Sequence, residues 1–272
     1  MKDLHIHTKY SDGEYNEKEI IERIQDAGIN EFAICDHDTI EGSEKVYNIL
    51  KETNSSLIFH TGIELSCSIN NLFNESVDIH LLVRDFDYND PNIQNFIKEI
   101  ARLRLEKVQR MVSLAEKIYN ISIPKKEIED TLKITNSFGK PHLYKILSKY
   151  ITVEREKYYK DMNILKSSDL KLDAVKVLNI MKNSKGYVTL AHPIEIMKDY
   201  NLNYDDIDKI INHLSSYGLD AVETKHSKHT KENYNIFSSM AKKYNLLETN
   251  GSDYHGPTVK PDVKLGICEK II

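Results

Sequence analysis

The sequence predicts an α/β barrel of parallel strands, interrupted once by an all-helical cap. Three observations carry that prediction. Strand-like and helix-like segments alternate about seven times along the 272 residues. The alternation stops between residues 91 and 172, where only helical patterns occur. Histidines and acidic residues gather at the C-terminal ends of the strand-like segments, the rim on which parallel barrels build their sites. Hydrophobic residues make up 40% of the chain, enough for a large core and too many for a disordered chain.

The first half of the barrel lies within residues 1–90. Asp3–His7 forms a short strand, and Asn16 caps a helix from Glu17 to Ala27 that Gly28 stops. Glu31–Cys35 is a second strand and Glu41–Lys51 a second helix. Leu57 leads a third strand through Ile63, and Val77–Val83 is a fourth. Residues 91–172 form the insertion. Ile93, Phe96, Ile97, Ile100 and Leu103, continued by Val108, Met111, Val112 and Ala115, mark one face of a helix. Shorter helices follow near Lys125–Leu132, Lys140–Lys149 and Glu154–Met162. The barrel resumes over residues 173–272. A helix to Lys185 leads to strand Tyr187–Ala191, helix Tyr204–Tyr217, strand Leu219–Thr224, helix Thr230–Tyr244 and strand Leu246–Thr249.

Charge and cysteine usage narrow the function classes. A net charge of −5 disfavours a long basic track for duplex nucleic acid. Cys35, Cys67 and Cys268 lie far apart, which argues against a disulfide framework and for a reducing compartment. With no signal peptide evident and no apolar run long enough for a bilayer, a cytoplasmic protein without a membrane partner is expected.

The metal-type residues run along the strand ends in order: His5 and His7; Asp36, His37 and Asp38; Glu64; His80; His192; His226; Asp253 and His255. Residues i and i+2 on a strand share a face, so His5 can pair with His7, and Asp253 with His255 where that segment is extended. Any one histidine is more simply a surface or core residue; so many strand ends bearing such groups point to a multinuclear metal site. Imidazole with carboxylate suits Mn²⁺, Fe²⁺ or Zn²⁺ better than Ca²⁺ or Mg²⁺. The lack of a cysteine in the set speaks against a structural zinc site. Three divalent ions facing Asp12, Glu64 and Asp253 would leave a positive pocket suited to phosphate.

Asp3-Leu4-His5-Ile6-His7-Thr8 with Ser11-Asp12-Gly13, Cys35-Asp36-His37-Asp38-Thr39, Gly62-Ile63-Glu64, Ala191-His192-Pro193 and Gly251-Ser252-Asp253-Tyr254-His255-Gly256 resemble the motifs of the PHP family. This is the polymerase and histidinol phosphatase superfamily of metal-dependent phosphoesterases. The resemblance spans the chain from Asp3 to Gly256 apart from the helical block. It implies a distorted (β/α)7 barrel with three metal ions. One ion would take His5, His7, Glu64 and Asp253; a second would share Glu64 and add His80 and His192; a third would take Asp12, His37 and His255. The nucleophile implied is a hydroxide on the metals held by Glu64 and its neighbours. Asp36 and Asp38 are expected to support histidine N–H groups from behind.

Two segments bear on the substrate. Phe138-Gly139-Lys140-Pro141-His142-Leu143 is similar to a family segment that turns a basic residue and a histidine toward phosphate, which implies Lys140 and His142 as contacts. A Pro-initiated helix start with an incidental histidine is the plainer alternative. Glu223-Thr224-Lys225-His226-Ser227-Lys228-His229 resembles a Glu-x-x-His-x-x-His segment, with His229 the better substrate candidate; a solvated basic loop is its plainer reading. Tyr254 is the suspect for stacking a base, while His60, His213, Cys35 and Cys67 read as structural. The function implied is hydrolysis of small nucleotide-like phosphate esters: a nucleoside 5′-monophosphate, a 3′,5′-bisphosphate or a short RNA 5′ end. Histidinol-phosphate phosphatase is the alternative within the chemistry. Amidohydrolase-type C–N hydrolysis is the alternative outside it, although Asp12, His37 and His255 supply a third site that such an enzyme does not need. A purely structural PHP domain is the non-enzymatic alternative, against which the full ligand set speaks.

Overall fold

A computed structural model describes residues 1–134, 138–162, 171–182 and 185–266. Cys268 lies outside them. The chain begins with three parallel strands and two connecting helices: β1 (Lys2–Ile6), α1 (Glu17–Asp26), β2 (Glu31–Ile34), α2 (Glu41–Glu52) and β3 (Ile58–His60). α1 starts where the sequence predicts. The Asn16 side chain accepts from the Lys18 and Glu19 N–H groups, and Glu19 returns a bond to the Asn16 N–H. Its buried stripe of Ile20, Ile21 and Ile24 packs with Ile6, Phe32 and Ile34.

The expected third strand divides at Thr61. β3 completes the first sheet, and β4 (Gly62–Ile69) opens a second one. Gly62 permits the crossing, because a Cβ there would lie 2.7 Å from the Ile34 carbonyl oxygen and 2.8 Å from the Cys35 sulfur. The second sheet adds β5 (Val77–Arg84), β6 (Leu172–Asp173), β7 (Tyr187–Leu190), β8 (Ala221–His226) and β9 (Leu247–Gly251), in the order β6-β4-β5-β7-β8-β9.

That sheet corrects the all-parallel expectation. β5 runs antiparallel to both β4 and β7. The reason lies in the linker: residues 70–76 suffice for a hairpin but are too few for a crossover helix. His80 therefore sits in the middle of a strand, opposite Ser66. The two sheets meet through isolated bridges, Ile6 with Tyr254 and His37 with Glu64. Those bridges carry His5, His7, His37, Glu64 and Asp253 to one place.

Between β5 and β6 come α3 (Pro91–Tyr119), α4 (Lys125–Ile134), α5 (Lys140–Leu147) and α6 (Arg155–Met162). Asp90 caps α3 by accepting from the Asn92 N–H, with Pro91 in the first turn. This 29-residue helix joins two cores. Ile93, Phe96 and Ile100 pack with β4 and β5, whereas Val108, Met111 and Ala115 pack with Leu143, Ile146 and Tyr158 of the block. The remaining helices, α7 (Ala174–Met181), α8 (Pro193–Tyr200), α9 (Tyr204–Ser216) and α10 (Lys231–Lys243), follow the resumed alternation. α8 is not apparent from periodicity; Pro193 at its first position starts it directly after His192. No described helix is long and apolar enough to cross a membrane.

Candidate metal centre

Glu64 is fully buried, and its two oxygens face two groups of imidazoles. Oε2 lies 3.2 Å from His5 Nε2, 3.1 Å from His7 Nε2 and 3.1 Å from His37 Nδ1. Oε1 lies 2.8 Å from His80 Nδ1 and 3.1 Å from His192 Nε2. Asp253 Oδ1 stands on the far side, 3.3 Å from His7 Nε2 and 3.7 Å from His5 Nε2. Asp12 Oδ1 is 3.2 Å from His255 Nε2, and Asp12 Oδ2 is 3.9 Å from His37 Nε2. All nine residues singled out in the sequence thus converge on one volume. Donor atoms close enough to share an ion form four groups: His5, His7, Glu64 and Asp253; His7, Asp12, His37 and His255; His37, Glu64 and His80; and His192, Glu195 and Asp253, so that His80 and His192 fall in different groups.

Divalent cations fit this donor set. His5 Nε2, His7 Nε2, Asp12 Oδ1, His37 Nδ1 and Glu64 Oε2 are buried without a hydrogen-bond partner, an arrangement that costs free energy unless something accepts their lone pairs. Burial alone would raise the Glu64 carboxyl, but His37, His5 and His80 hold it well below the usual carboxylate range. Burial is likewise outweighed at Asp12 by His37 and His255, and at Asp253 by Lys260 and His255. His7 is lowered by its burial and by His255. Burial likewise lowers His37, whereas the carboxylates outweigh burial and raise His5 (through Glu64 and Glu223), His192 (through Glu64) and His255 (through Asp253 and Asp12). Those carboxylates favour a positive charge beside them, which a metal ion would supply in place of the imidazole protons. Cys35 and Cys67 are buried outside the group, and burial drives both thiols upward.

A surrounding shell fixes these donors. His5 Nδ1–H donates to Glu223 Oε1 at 3.1 Å, which leaves Nε2 as the inward lone pair. The other Glu223 oxygen accepts from the His192 N–H at 2.8 Å. Gly251 makes room for this contact, since a Cβ would come within 2.2 Å of His5 Cβ. Asp36 and Asp38 do not support histidines as expected. Asp36 accepts from Thr8 N–H, Thr8 O–H and Ser11 O–H, fastening the loop that presents Asp12, and Asp38 accepts from the Ser66 N–H. The short Asp side chain on a tight strand end meets the adjacent loop before it reaches an imidazole. His192 has φ 27°, and among the described non-glycine residues with positive φ it alone is neither Asn nor Asp. Such strain persists where surrounding contacts impose it.

Sequence reasoning missed two neighbours and left a third out of the ligand set. Glu195 groups with His192 and Asp253, and it holds the Lys228 ammonium. Its place three residues after His192, on the first turn of a Pro-initiated helix, is a signal that could have revealed it. Lys260 binds Asp253 Oδ2 from a loop with no motif to mark it. His226, recognised at a strand end but left out of the ligand set, turns an unpartnered Nε2 toward Asp253 Oδ2 at 3.6 Å.

The substrate candidates divide. Gly139 N–H donates to His142 Nδ1 at 3.1 Å, so neutral His142 keeps an Nε2–H donor. His229 is the opposite tautomer: its Nδ1–H donates to the Thr224 carbonyl at 2.7 Å, and its buried Nε2 is an unpartnered lone pair. Burial, with His226 beside it, lowers His229 to about 4. Lys140 opens α5, and its charge lies within range of Lys171 and Asp78. Tyr254 is not the base-stacking residue expected. The chain leaves β9 at Gly251 and takes a left-handed turn at Asp253 (φ 58°), and Tyr254 packs into the core of β1 and β2, where it stacks on Tyr15. His60 is structural as expected, bonded to Asp85 and Glu31.

Residues 3–220 match the PHP domain. A 5′-3′ exoribonuclease from Haemophilus influenzae is 27% identical over 263 residues, covering 94% of this chain and 90% of its own. A phosphoribosyl 1,2-cyclic phosphate 1,2-diphosphodiesterase from Eggerthella lenta is 24% identical, with 94% of each chain covered. Among solved structures, a proposed metal-dependent phosphoesterase from Bifidobacterium adolescentis superposes with a TM-score of 0.73 at 24% identity, covering 94% of this chain and 87% of that one.

Proposed function

The chain belongs to the PHP domain family and is a metal-dependent phosphoesterase, and on that premise we propose that it hydrolyses phosphate esters of nucleotide-like substrates. The observation that carries the reading is the pair of Glu64 oxygens, each facing its own group of imidazoles. In this reading His5, His7, Glu64 and Asp253 hold one divalent ion, Glu64, His80 and His192 a second, and Asp12, His37 and His255 a third. Mn²⁺, Fe²⁺ and Zn²⁺ suit these donors. Such ions supply a nucleophile at neutral pH and neutralise charge on the phosphate.

The protein's own residues supply position and selection. Glu223 locks the His5 tautomer, and Asp36 keeps the Asp12 loop in place. Lys140 and the Nε2–H of His142 contact the substrate phosphate from the block, Lys140 as a point charge and His142 as a neutral donor. His229 reaches a phosphate oxygen only when protonated, because Thr224 already takes its Nδ1–H. The bridged sheets support a distorted (β/α)7 barrel of residues 1–90 and 173–272, and the separate apolar core around Tyr158 supports a helical cap of residues 91–172. A cavity of about 480 Å³ between α2 and α3, lined by Ile97, Leu105, Val108, Phe138 and Arg104, is large enough for a nucleoside.

The test is a Mn²⁺-supplemented panel of AMP, a nucleoside 3′,5′-bisphosphate, short 5′-phosphorylated RNA, histidinol phosphate and an N-acyl amino acid. Release of phosphate or nucleotide from the nucleotide members is the expected result. Turnover of histidinol phosphate alone, or of the amide alone, would overturn the nucleotide reading.

A further inference from the structure

The two oxygens of Asp253 meet different surroundings. Oδ1 faces the metal centre, 3.3 Å from His7 Nε2 and 3.7 Å from His5 Nε2. Oδ2 accepts from the Lys260 ammonium. His226 is also turned toward Oδ2. Its Nδ1 accepts from the Lys228 N–H at 3.3 Å, so a neutral His226 carries its proton on Nε2, 3.6 Å from Oδ2 and too far for a hydrogen bond. Lys260 reaches Oδ2 from a short loop with little freedom. Gly256, at φ 98°, brings that loop against Glu14, where a Cβ would lie 2.5 Å from the Glu14 Cβ. The Glu14 carboxylate takes the Thr258 N–H, and the Glu14 N–H donates to the His255 carbonyl. The Lys260 N–H closes the turn on the Gly256 carbonyl at 2.9 Å. One loop thus fixes the lysine against both Asp253 and the segment that follows Asp12.

An ammonium beside a metal centre repels the ions that the centre holds, so it lowers their affinity. What Lys260 provides in exchange is a firm hold on one oxygen. A carboxylate can bind an ion through one oxygen or through both, and a hydrolytic centre needs a coordination position left open for water or substrate. We propose that Lys260 is a positioning residue for Asp253: it retains Oδ2, so that Asp253 gives an ion Oδ1 alone and a coordination position stays open. The inference rests on the assignment of Asp253 as a ligand in the reading above and deepens it, by naming what keeps that ligand from closing the site. Its sign is distinctive. A carboxylate partner such as Glu223 strengthens the ligand it touches, whereas a cationic partner weakens metal binding while it preserves turnover.

The experiment compares wild type with Lys260→Met, which keeps an unbranched side chain without its charge, and Lys260→Arg. Calorimetry would follow Mn²⁺ binding to protein stripped of metal, and the visible spectrum of the Co²⁺-loaded protein would be recorded without substrate. Steady-state kinetics would use the nucleotide members of the panel above. In Lys260→Met one Mn²⁺ should bind on the order of tenfold more tightly, because a unit charge has left its side. A gain in affinity cannot come from misfolding. Co²⁺ bands lose intensity as coordination number rises, so they should weaken when Oδ2 joins Oδ1. With the open position filled, kcat should fall on the order of tenfold or more while KM changes less than about twofold. Lys260→Arg, which keeps a cationic donor, should return all three toward wild type. Weaker Mn²⁺ binding together with lost activity in Lys260→Met would overturn the proposal and make Lys260 a support of its loop. Tighter binding with unaltered spectrum and kcat, the mark of charge alone, would overturn it too. The expected affinity and spectrum in a protein that cleaves no nucleotide would uphold the role of Lys260 and reject the nucleotide reading.

Discussion

The strand-end rim and the helical block treat charge in opposite ways. On the rim, Glu64 and Asp253 are buried, and His5, His7 and Glu64 all present unpartnered donor atoms to the same space. Further contacts lock them: Glu223 on His5, and Asp36 on the loop before Asp12. On the block side, Arg104, Lys107 and Lys140 are half-buried cations on helices that belong partly to a separate apolar core. In the proposed reading the rim holds cations in one geometry, and the block offers cations to the substrate anion. That reading assigns catalytic competence and substrate choice to different parts of the chain, which should be separable by mutation.

The largest expected effect lies on the rim. Glu64→Ala removes the carboxylate facing five imidazoles, so metal content should drop and turnover should fall on the order of a thousandfold or more. Metal analysis beside a phosphate-release assay checks both, and unchanged metal with full activity would take Glu64 out of the site. Lys140→Ala probes the other side. It should raise KM for a nucleotide monoester by the equivalent of ~1.5–3 kcal/mol, a charged hydrogen bond, while bound metal stays constant. Loss of metal in this variant would break the division between rim and block.

Glu223→Gln sharpens the comparison, because Glu223 acts through His5. Metal affinity should weaken about 10–100-fold with little change in the urea midpoint. Wild-type affinity would show that the His5 tautomer needs no such partner. The smallest effect concerns His229. Its folded value, about 4, lies below its ordinary 6.5, so the unfolded chain takes up the proton first as pH falls. Stability should be complete above about 6.5 and decline toward about 4, with a slope of at most roughly 1.4 kcal/mol per pH unit from this group. Denaturation of His229→Asn across that window should show a shallower decline than wild type, and an identical decline would contradict the assignment.

Most of the rim was legible in the sequence because its histidines and acids lie in short motifs at strand ends, while Asp12 and the division into ligand sets came from the resemblance to PHP motifs. His5 with His7 followed from period two and holds on β1; Asp253 and His255 also meet, at 3.3 Å, but through a turn with left-handed Asp253 and not through an extended strand. Tyr254 lies between two site residues in sequence, and its packing against Tyr15, after the left-handed turn at Asp253, excludes the substrate role that this position suggested. The antiparallel β5 escaped notice because hydrophobic runs carry no direction; the seven-residue linker was the available signal. Lys260, Arg104 and Lys107 were not legible, since a lysine or arginine on a polar helix face or loop reads as solvated until the fold brings another element over it. The apolar period of α3 was clear, but not that one rod would serve two cores.

The central claim is that the nine converging residues hold divalent ions and that these ions make the protein a phosphoesterase. The most direct test is phosphate release from a nucleotide substrate before chelation, after exhaustive chelation, and after Mn²⁺ is restored, with bound metal measured at each stage. The account predicts that release stops as metal is removed and returns as metal is rebound. Undiminished release from metal-free protein would contradict it.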